Sequence, residues 1–220
     1  MVRQLGSFSK LENMWSYRSS ASMNSMSVLV ACILTLACCV SSAFGVSYSI
    51  SNVQATGSGC PRGVVDTNTG QTELSLRFDP SFTATVGPGQ ALSSGKKNCQ
   101  LSFTVSVPAG WKFAFSRFIY ASTYSLAPSV QAAYSTAYYF QGDFKTSTTS
   151  GTVAAPAKES LVSLYNEVAS QSTIWSPCGR STVVNVNSAV NVSSTGFYGS
   201  GSLQLNNLIL PESSFAWARC

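Results

Sequence analysis

Nine consecutive residues of this chain alternate strictly between apolar and polar side chains. They read CQLSFTVSV (99–107), and the apolar set is Cys99, Leu101, Phe103, Val105 and Val107. Successive side chains of a β-strand point to opposite faces, so this pattern predicts a strand with one face in a core and the other in water. Helical spacing of three to four residues does not fit it.

Other stretches repeat the alternation, and turn-forming residues separate them. The stretches are 46–53, 73–78, 111–115, 181–192, 203–210 and 214–220, and the turns include TGSGCPRG, TNTG, VGPGQ, PAG, QGD and STGFYGSGS. Many short strands joined by such turns are typical of antiparallel sandwiches. We therefore predict a mainly β fold, an antiparallel β-sandwich of jelly-roll or immunoglobulin-like type with at most one short helix. Residues 46–220 are predicted to form a single domain.

One region departs from this pattern. In KESLVSLYNEVAS (158–170) the apolar residues are spaced three, one and three apart, as on one side of a helix: Leu161, Leu164, Tyr165 and Val168. We predict a short helix there, with an irregular strand as the alternative. The preceding TSTTSGTVAAPA (146–157) is low in complexity and is predicted to be a loop.

The first 45 residues have the organisation of a secretory signal peptide with a long polar N-terminal region. An uncharged apolar run, SVLVACILTLACCVSSAF (27–44), follows that region, and Ala43-Phe44-Gly45 supplies a cleavage site. We predict cleavage after Gly45. The alternative is an uncleaved membrane anchor. It is disfavoured because the strongly apolar part, 28–40, has 13 residues, whereas a spanning helix needs about 20.

Four cysteines follow the cleavage site: Cys60, Cys99, Cys178 and Cys220. The secretory pathway is oxidising and the number is even, so two disulfides are expected. Four cysteines allow three pairings. We predict the sequential one, Cys60–Cys99 and Cys178–Cys220, because each bond then spans one or two strand connections. No C-x-x-C pair suggests zinc, and we predict neither a metal nor a cofactor.

Composition argues against several functional classes. The chain has no histidine, which removes Ser-His-Asp and Cys-His catalysis. Its basic residues are scattered and do not form the stripe that phosphate binding needs, so no nucleic-acid partner is predicted. A hydrolase with paired carboxylates is the enzymatic alternative. The acids considered for it occur in turns or on polar strand faces: Asp66, Glu73, Asp79 and Asp143.

Aromatic residues and one sequon supply the candidate surface sites. SVQAAYSTAYYF (129–140) contains the candidate ligand-facing residues Tyr134, Tyr138 and Tyr139, with ordinary cross-strand packing as the alternative. The sequon Asn191-Val192-Ser193 predicts an N-glycan at Asn191. Three tryptophans have predicted positions: Trp111 in the core, and Trp175 and Trp217 against the disulfides.

The sequence around the cysteines resembles a known family. The segments are GSGCP (57–61), KKNCQLSFTVSVPAGWKF (96–113), YYFQG (138–142), WSPCG (175–179) and WARC (217–220). In this order they resemble the secreted proteins grouped as domain of unknown function 4360, found in fungi and some bacteria. The resemblance implies a small, secreted, disulfide-containing protein without an assigned activity.

These observations together predict a secreted, extracellular and non-catalytic binding or structural module. Cell-wall polysaccharide or a surface glycan is the candidate partner, and no membrane contact is expected after signal cleavage. A carboxylate-based hydrolase and an effector-like secreted protein are the alternatives.

Overall fold

The computed structural model describes residues 46–69, 73–196 and 198–220; the predicted signal peptide, residues 1–45, lies outside them. The strands within the described residues are β1 Ser49–Thr56, β2 Val64–Thr69, β3 Glu73–Phe78, β4 Thr83–Val86, β5 Lys96–Ser106, β6 Trp111–Phe115, β7 Arg117–Leu126, β8 Val130–Phe140, β9 Thr146–Val153, β10 Ala157–Glu167, β11 Thr182–Ser194, β12 Gly201–Pro211 and β13 Phe215–Arg219. Short 3-10 turns lie at Leu92–Gly95, Ser170–Ser172 and Glu212–Ser214. None of the helical segments in these ranges is long and apolar enough to cross a membrane.

Two large antiparallel sheets face each other, which confirms the predicted sandwich. The five-stranded sheet has the order β1-β5-β11-β8-β9, and the six-stranded sheet has the order β10-β7-β12-β3-β2. Strand β4 also pairs with β12, beside the first part of that strand, while β3 pairs with its second part. Strands β6 and β13 form a separate two-stranded sheet.

The core lies between the two large sheets and follows the alternation of the sequence. In β5, Cys99, Leu101, Phe103 and Val105 are all fully buried. Side chains of the other sheet, among them Phe118 in β7 and Leu203, Leu205, Leu208 and Leu210 in β12, belong to the same cluster. Burial of apolar surface is the main stabilising contribution to such a fold.

Aromatic rings concentrate where the small sheet meets the large ones. Phe115 of β6 packs edge-on against Tyr138 of β8, with ring centroids 5.1 Å apart. Phe215 of β13 lies 5.0 Å from Phe115, and Trp217 lies 5.0 Å from Tyr48. Trp217 thus packs within this aromatic cluster.

The other two tryptophans of the described residues lie at the surface beside cations. The prediction of Trp111 in the core is wrong: it is only half-buried, and the Arg219 guanidinium lies over its ring at 4.0 Å. Trp175 is exposed, and the Lys112 ammonium lies 5.4 Å from its ring centre.

Two sequence predictions are wrong. Residues 158–167 form most of strand β10, not a helix, and the predicted loop at 146–157 contains strand β9. In β10 the register shifts between Ser160 and Val162, and Leu161 there has a φ of 55°. Leu161 and Tyr165 are exposed whereas Leu164 is buried, so the helix-like spacing combines apolar residues from both sides of a bulged strand.

The structure contains the sequential pair of disulfides. Cys60 joins Cys99 and Cys178 joins Cys220, with Cα atoms 5.5 and 6.1 Å apart. Cys60 and Cys99 are fully buried, whereas Cys178 and Cys220 are exposed.

Candidate functional site

The outward-pointing side chains of the five-stranded sheet, here called the outer face, form aligned rows across the strands. Register pairing places residues of neighbouring strands side by side on one face. The tyrosine row, at one end, runs across all five strands and consists of Thr146, Tyr139, Asn185, Ser102 and Gln54. Neighbouring strands lie about 4.8 Å apart, so this row spans roughly 19 Å.

The next rows repeat this arrangement along the strands. One consists of Thr148, Ala137, Asn187, Gln100 and Thr56, and the next of Ser150, Ser135, Ala189 and Asn98. The fourth, here called the Asn191 row, consists of Thr152, Ala133, Asn191 and Lys96.

Uncharged hydroxyl and amide groups dominate the outer face. Lys96, at one end of the Asn191 row, is the one charged residue in the four rows. The outward side of the six-stranded sheet is different, because it carries Glu73, Arg77, Arg117, Lys158 and Glu167. Arg117 Nη1 lies 4.0 Å from Glu167 Oε1. The two outer surfaces of the sandwich therefore differ in charge.

Two amides of the outer face are available to an external partner, whereas another is already engaged. The engaged one is the Asn98 side-chain amide, which donates to Asn187 Oδ1 at 3.3 Å. Within the described residues, the amides of Asn185 and Gln100 form no such contact with protein. Both side chains are half-exposed, so they can offer donors and acceptors to a ligand.

Of the three predicted ligand-facing tyrosines, only Tyr139 lies on the outer face, where it is half-exposed. The prediction for Tyr134 and Tyr138 is wrong, because both are core residues with relative exposures of 7% and 0%. Their hydroxyls donate to the carbonyls of Tyr165 and Ile174. Burial raises the pKa of both phenols. Even-numbered positions of β8 point inward, which accounts for both residues.

A second exposed aromatic residue lies beside the tyrosine row. Phe144 is fully exposed in the turn between β8 and β9, two residues before Thr146, the partner of Tyr139. The Asp143 carboxylate accepts a hydrogen bond from the Lys145 backbone N–H at 3.0 Å in the same turn. Sequence reasoning missed Phe144, although a phenylalanine directly after the turn signal QGD was a usable signal.

The predicted glycan site, Asn191, is exposed on the outer face. Surface depressions of about 570, 470 and 570 Å³ all have Asn191 in their walls. The small side chains of Ala133 and Ala189 line one of them, between Asn98 and Ser150.

The carboxylates do not form an enclosed acid pair among the described residues. Glu73 and Glu212 come near each other because Pro211 pairs with Glu73, but both are exposed. Burial, and then the charges of Glu212 and Glu73, raise the pKa of Tyr48 to about 12. Asp143 is exposed, and the side chain of Asp66 lies outside the described part of the structure.

Asp79 is the buried acid of the predicted set, and its environment favours the charged form. Hydrogen bonds from Ser81, and then the Arg62 guanidinium at 2.6 Å, hold the pKa of Asp79 below its usual value. A proton donor working near neutral pH needs a shift in the opposite direction. No group of three or more His, Cys, Asp or Glu suited to a metal was found among the described residues.

Comparison with known proteins identifies relatives of the chain. The family model described as domain of unknown function (DUF4360) matches residues 47–220. An uncharacterized secreted protein of Arthroderma benhamiae is 32% identical over 153 residues, which is 69% of this chain and 59% of that protein. The chain thus spans less than two thirds of this relative's length.

The chain matches solved structures with low TM-scores. The structure of TmCBM61 in complex with β-1,4-galactotriose is 13% identical, and the match covers 74% of this chain and 90% of that one at a TM-score of 0.25. The enzymatically active domain of bacteriophage CBA120 tailspike protein 4 is 11% identical, over 76% of this chain and 19% of that one, at a TM-score of 0.18.

Proposed function

This chain belongs to the DUF4360 family, and on that premise we propose that it is a secreted, non-catalytic module that binds neutral polysaccharide through the tyrosine row of its outer face. The observation that carries the proposal is a broad sheet surface of amides and hydroxyls, with the half-exposed Tyr139 and the exposed Phe144 at one end. Two disulfides and a relative named as secreted support the extracellular location.

The chemistry of the tyrosine row fits a sugar chain. A pyranose ring has apolar C–H faces that can pack on an aromatic ring, and hydroxyls that need donors and acceptors. Tyr139 supplies the ring, and Asn185, with its unpaired amide, lies directly beside it across β8 and β11. Thr146 and Ser102 extend the row with hydroxyls that can both donate and accept.

The low charge of the outer face indicates a neutral ligand. An anionic polysaccharide would be matched by a set of cations, and the tyrosine row contains none. Lys96 lies three rows away, about 20 Å along the strands, and Lys145, next to Thr146, shares its turn with the acid Asp143. We therefore expect binding that changes little with ionic strength, because charge screening acts only on charged contacts.

Non-catalytic binding is favoured over hydrolysis by the environments of the acids. Glu73 and Glu212 are exposed near the six-stranded sheet, whereas the tyrosine row belongs to the other sheet. A hydrolytic site would need an acid beside the bound sugar, with the second about 5 to 9.5 Å away. No described residue of the tyrosine row is an acid, and Asp143, in the turn beside Phe144, is exposed and accepts the Lys145 backbone N–H.

The proposal is tested by co-sedimentation with insoluble neutral polysaccharides such as chitin, cellulose and β-glucan, at low and high salt. Tyr139→Ala and Phe144→Ala should each weaken binding about tenfold, since losing an aromatic anchor costs about 1–2 kcal/mol. Asn185→Ala should weaken it less. Tyr165→Ala is the matched control, because Tyr165 is an exposed tyrosine on the other sheet.

Two results would count against this function. One is binding that Tyr139→Ala and Tyr165→Ala reduce equally. The other is release of soluble sugars that stops when Glu73→Gln and Glu212→Gln are combined, which would establish the hydrolase instead. Thermal unfolding of each variant separates a lost contact from a lost fold.

A further inference from the structure

We propose that Asn191 carries an N-linked glycan whose first sugars lie in the depression over Ala133 and Ala189, covering that half of the outer face. The sequon supplies the acceptor, and the fold supplies both the exposure and the space. This inference stands independently of the proposed function.

The acceptor and the hydroxyl of its sequon point to the same side of a strand. Residues i and i+2 of a strand share a face. In β11, Asn191 and Ser193 are both exposed, while Val192 between them is buried. A sugar on Asn191 Nδ2 therefore extends into solvent and displaces no core residue.

The surface beside Asn191 is a depression with room for a sugar. Asn191 pairs with Ala133 of β8, and the next outward residues toward the tyrosine row are Ser135 and Ala189. These small side chains leave a depression of about 570 Å³ between Asn98 and Ser150. Exposed apolar surface at Ala133 and Ala189 would then be covered by the sugar ring.

The position of β11 in the sheet determines when the modification must occur. This strand is paired on both sides, Asn191 with Lys96 of β5 and with Ala133 of β8. A transferase needs extended, unpaired backbone around its acceptor, so transfer must precede pairing of β11. In the reaction, Asn191 Nδ2 bonds to the anomeric carbon of a polyprenyl-diphosphate oligosaccharide. The bond from that carbon to the diphosphate breaks, and the amide loses one proton.

The modification is tested on the full chain secreted from a eukaryotic host. Intact mass and peptide mapping should place one glycan on Asn191. Asn191→Gln and Ser193→Ala should abolish it, whereas Ser193→Thr, which keeps the sequon, should retain it. An unmodified Asn191 in a host that glycosylates a reference protein would overturn the site.

The placement of the glycan is tested by hydroxyl-radical footprinting of glycosylated wild type against unglycosylated Asn191→Gln. Labelling of Ser135 and Ala189 should rise at least twofold when the glycan is absent, while Tyr139, at the other end, should stay unchanged. Equal labelling of Ser135 and Ala189 in the two proteins would overturn the placement. This readout involves no added polysaccharide, so it is separate from the test of function.

Discussion

The hydroxyl oxygen of Tyr120 lies 2.7 Å from Ser188 Oγ, so a hydrogen bond joins the two large sheets through the middle of the core. Tyr120 belongs to β7 and Ser188 to β11. The same hydroxyl lies 2.6 Å from Thr136 Oγ1, which also accepts from the side-chain amide of Asn166 at 2.8 Å. All four residues are fully buried, so they form a polar cluster inside an apolar core.

Tyr120→Phe should lower the free energy of unfolding by about 1–3 kcal/mol. The substitution hardly changes the side-chain volume, but it leaves the buried hydroxyls of Ser188 and Thr136 without the hydroxyl that they contact. Chemical denaturation measures the effect. Ser188→Ala in the Tyr120→Phe background should add little further loss, because the two changes remove one shared contact. Fully additive losses would contradict a coupled pair.

Alkaline pH should destabilise the protein through the same residue. Burial raises the pKa of Tyr120 to about 12 in the fold, whereas an unfolded tyrosine ionises near pH 10. Between these values the unfolded chain releases a proton that the folded chain keeps, so stability is complete below about pH 10 and falls as pH rises toward about 12. Denaturation midpoints across this range test this. The decline should be smaller in Tyr120→Phe, and an equal decline would refute the assignment.

The two disulfides should differ in their response to a mild reductant. Cys178 and Cys220 are exposed, whereas Cys60 and Cys99 are fully buried. A thiolate must reach the sulfur that it attacks, so the exposed bond should be reduced first in the native protein. Alkylation followed by peptide mapping identifies the order. Simultaneous reduction of both bonds below the denaturation midpoint would contradict it.

Removing either disulfide should destabilise the fold. Replacing both cysteines of one pair by serine should cost about 3–4 kcal/mol, as expected for loops of this size. Thermal and denaturant unfolding of the two double variants measure the loss. An unchanged free energy of unfolding in the double variant Cys178→Ser/Cys220→Ser would show that the segment between these residues is already ordered without the bond.

The glycine before Cys60 should not tolerate a side chain. A Cβ on Gly59 would overlap the ring of Phe82. Phe82 is fully buried and packs edge-on against Phe78 at 4.9 Å, so its ring has little freedom to move. Gly59→Ala should therefore cost about 1–3 kcal/mol. Adding Phe82→Leu should recover part of that loss, and purely additive effects would place the strain elsewhere.

Acid should remove the contribution of Asp79. Its pKa is lowered in the fold, so the stabilisation is present above the unfolded value of about 4 and is lost as pH falls through the folded value. Asp79→Asn should be less stable than wild type at neutral pH, and the two melting temperatures should converge in acid. A gap that stayed constant down to about pH 2 would contradict this. Arg62→Ala should have a smaller effect, because that side chain is mostly exposed.

Alternation predicted the sandwich because most of its strands bury one face continuously. In β5 from Cys99 onward, and in β11 as far as Val192, every second residue is buried, and the sequence carries that information directly. Strand β10 is not predicted because Leu161 and Tyr165 are apolar residues on its exposed side and because the bulge at Leu161 interrupts the alternation. A register shift depends on the neighbouring strand, which local spacing does not contain.

Strand β9 could not be predicted for a different reason. Its inward residues are small or polar, Ser147, Thr149 and Gly151, followed by Val153. A Cβ on Gly151 would overlap the ring of Tyr134, so the neighbouring strand supplies the apolar bulk there. For the candidate site, alternation placed Tyr139 opposite Tyr138 and Phe140, but only burial shows which side faces solvent. The position of Phe144 beside Tyr139, and the alignment of side chains in rows, depend on the strand register, which the sequence does not give.

The unequal charge of the two sheet surfaces has a consequence for any surface that this protein coats. A molecule adsorbed through its nearly uncharged outer face turns the mixed charges of Glu73, Arg77, Arg117, Lys158 and Glu167 toward the medium. A monolayer would therefore give an inert polysaccharide a strongly hydrated, zwitterionic exterior. Further molecules would not adsorb on this layer, because it exposes the charged sheet and not the nearly uncharged one.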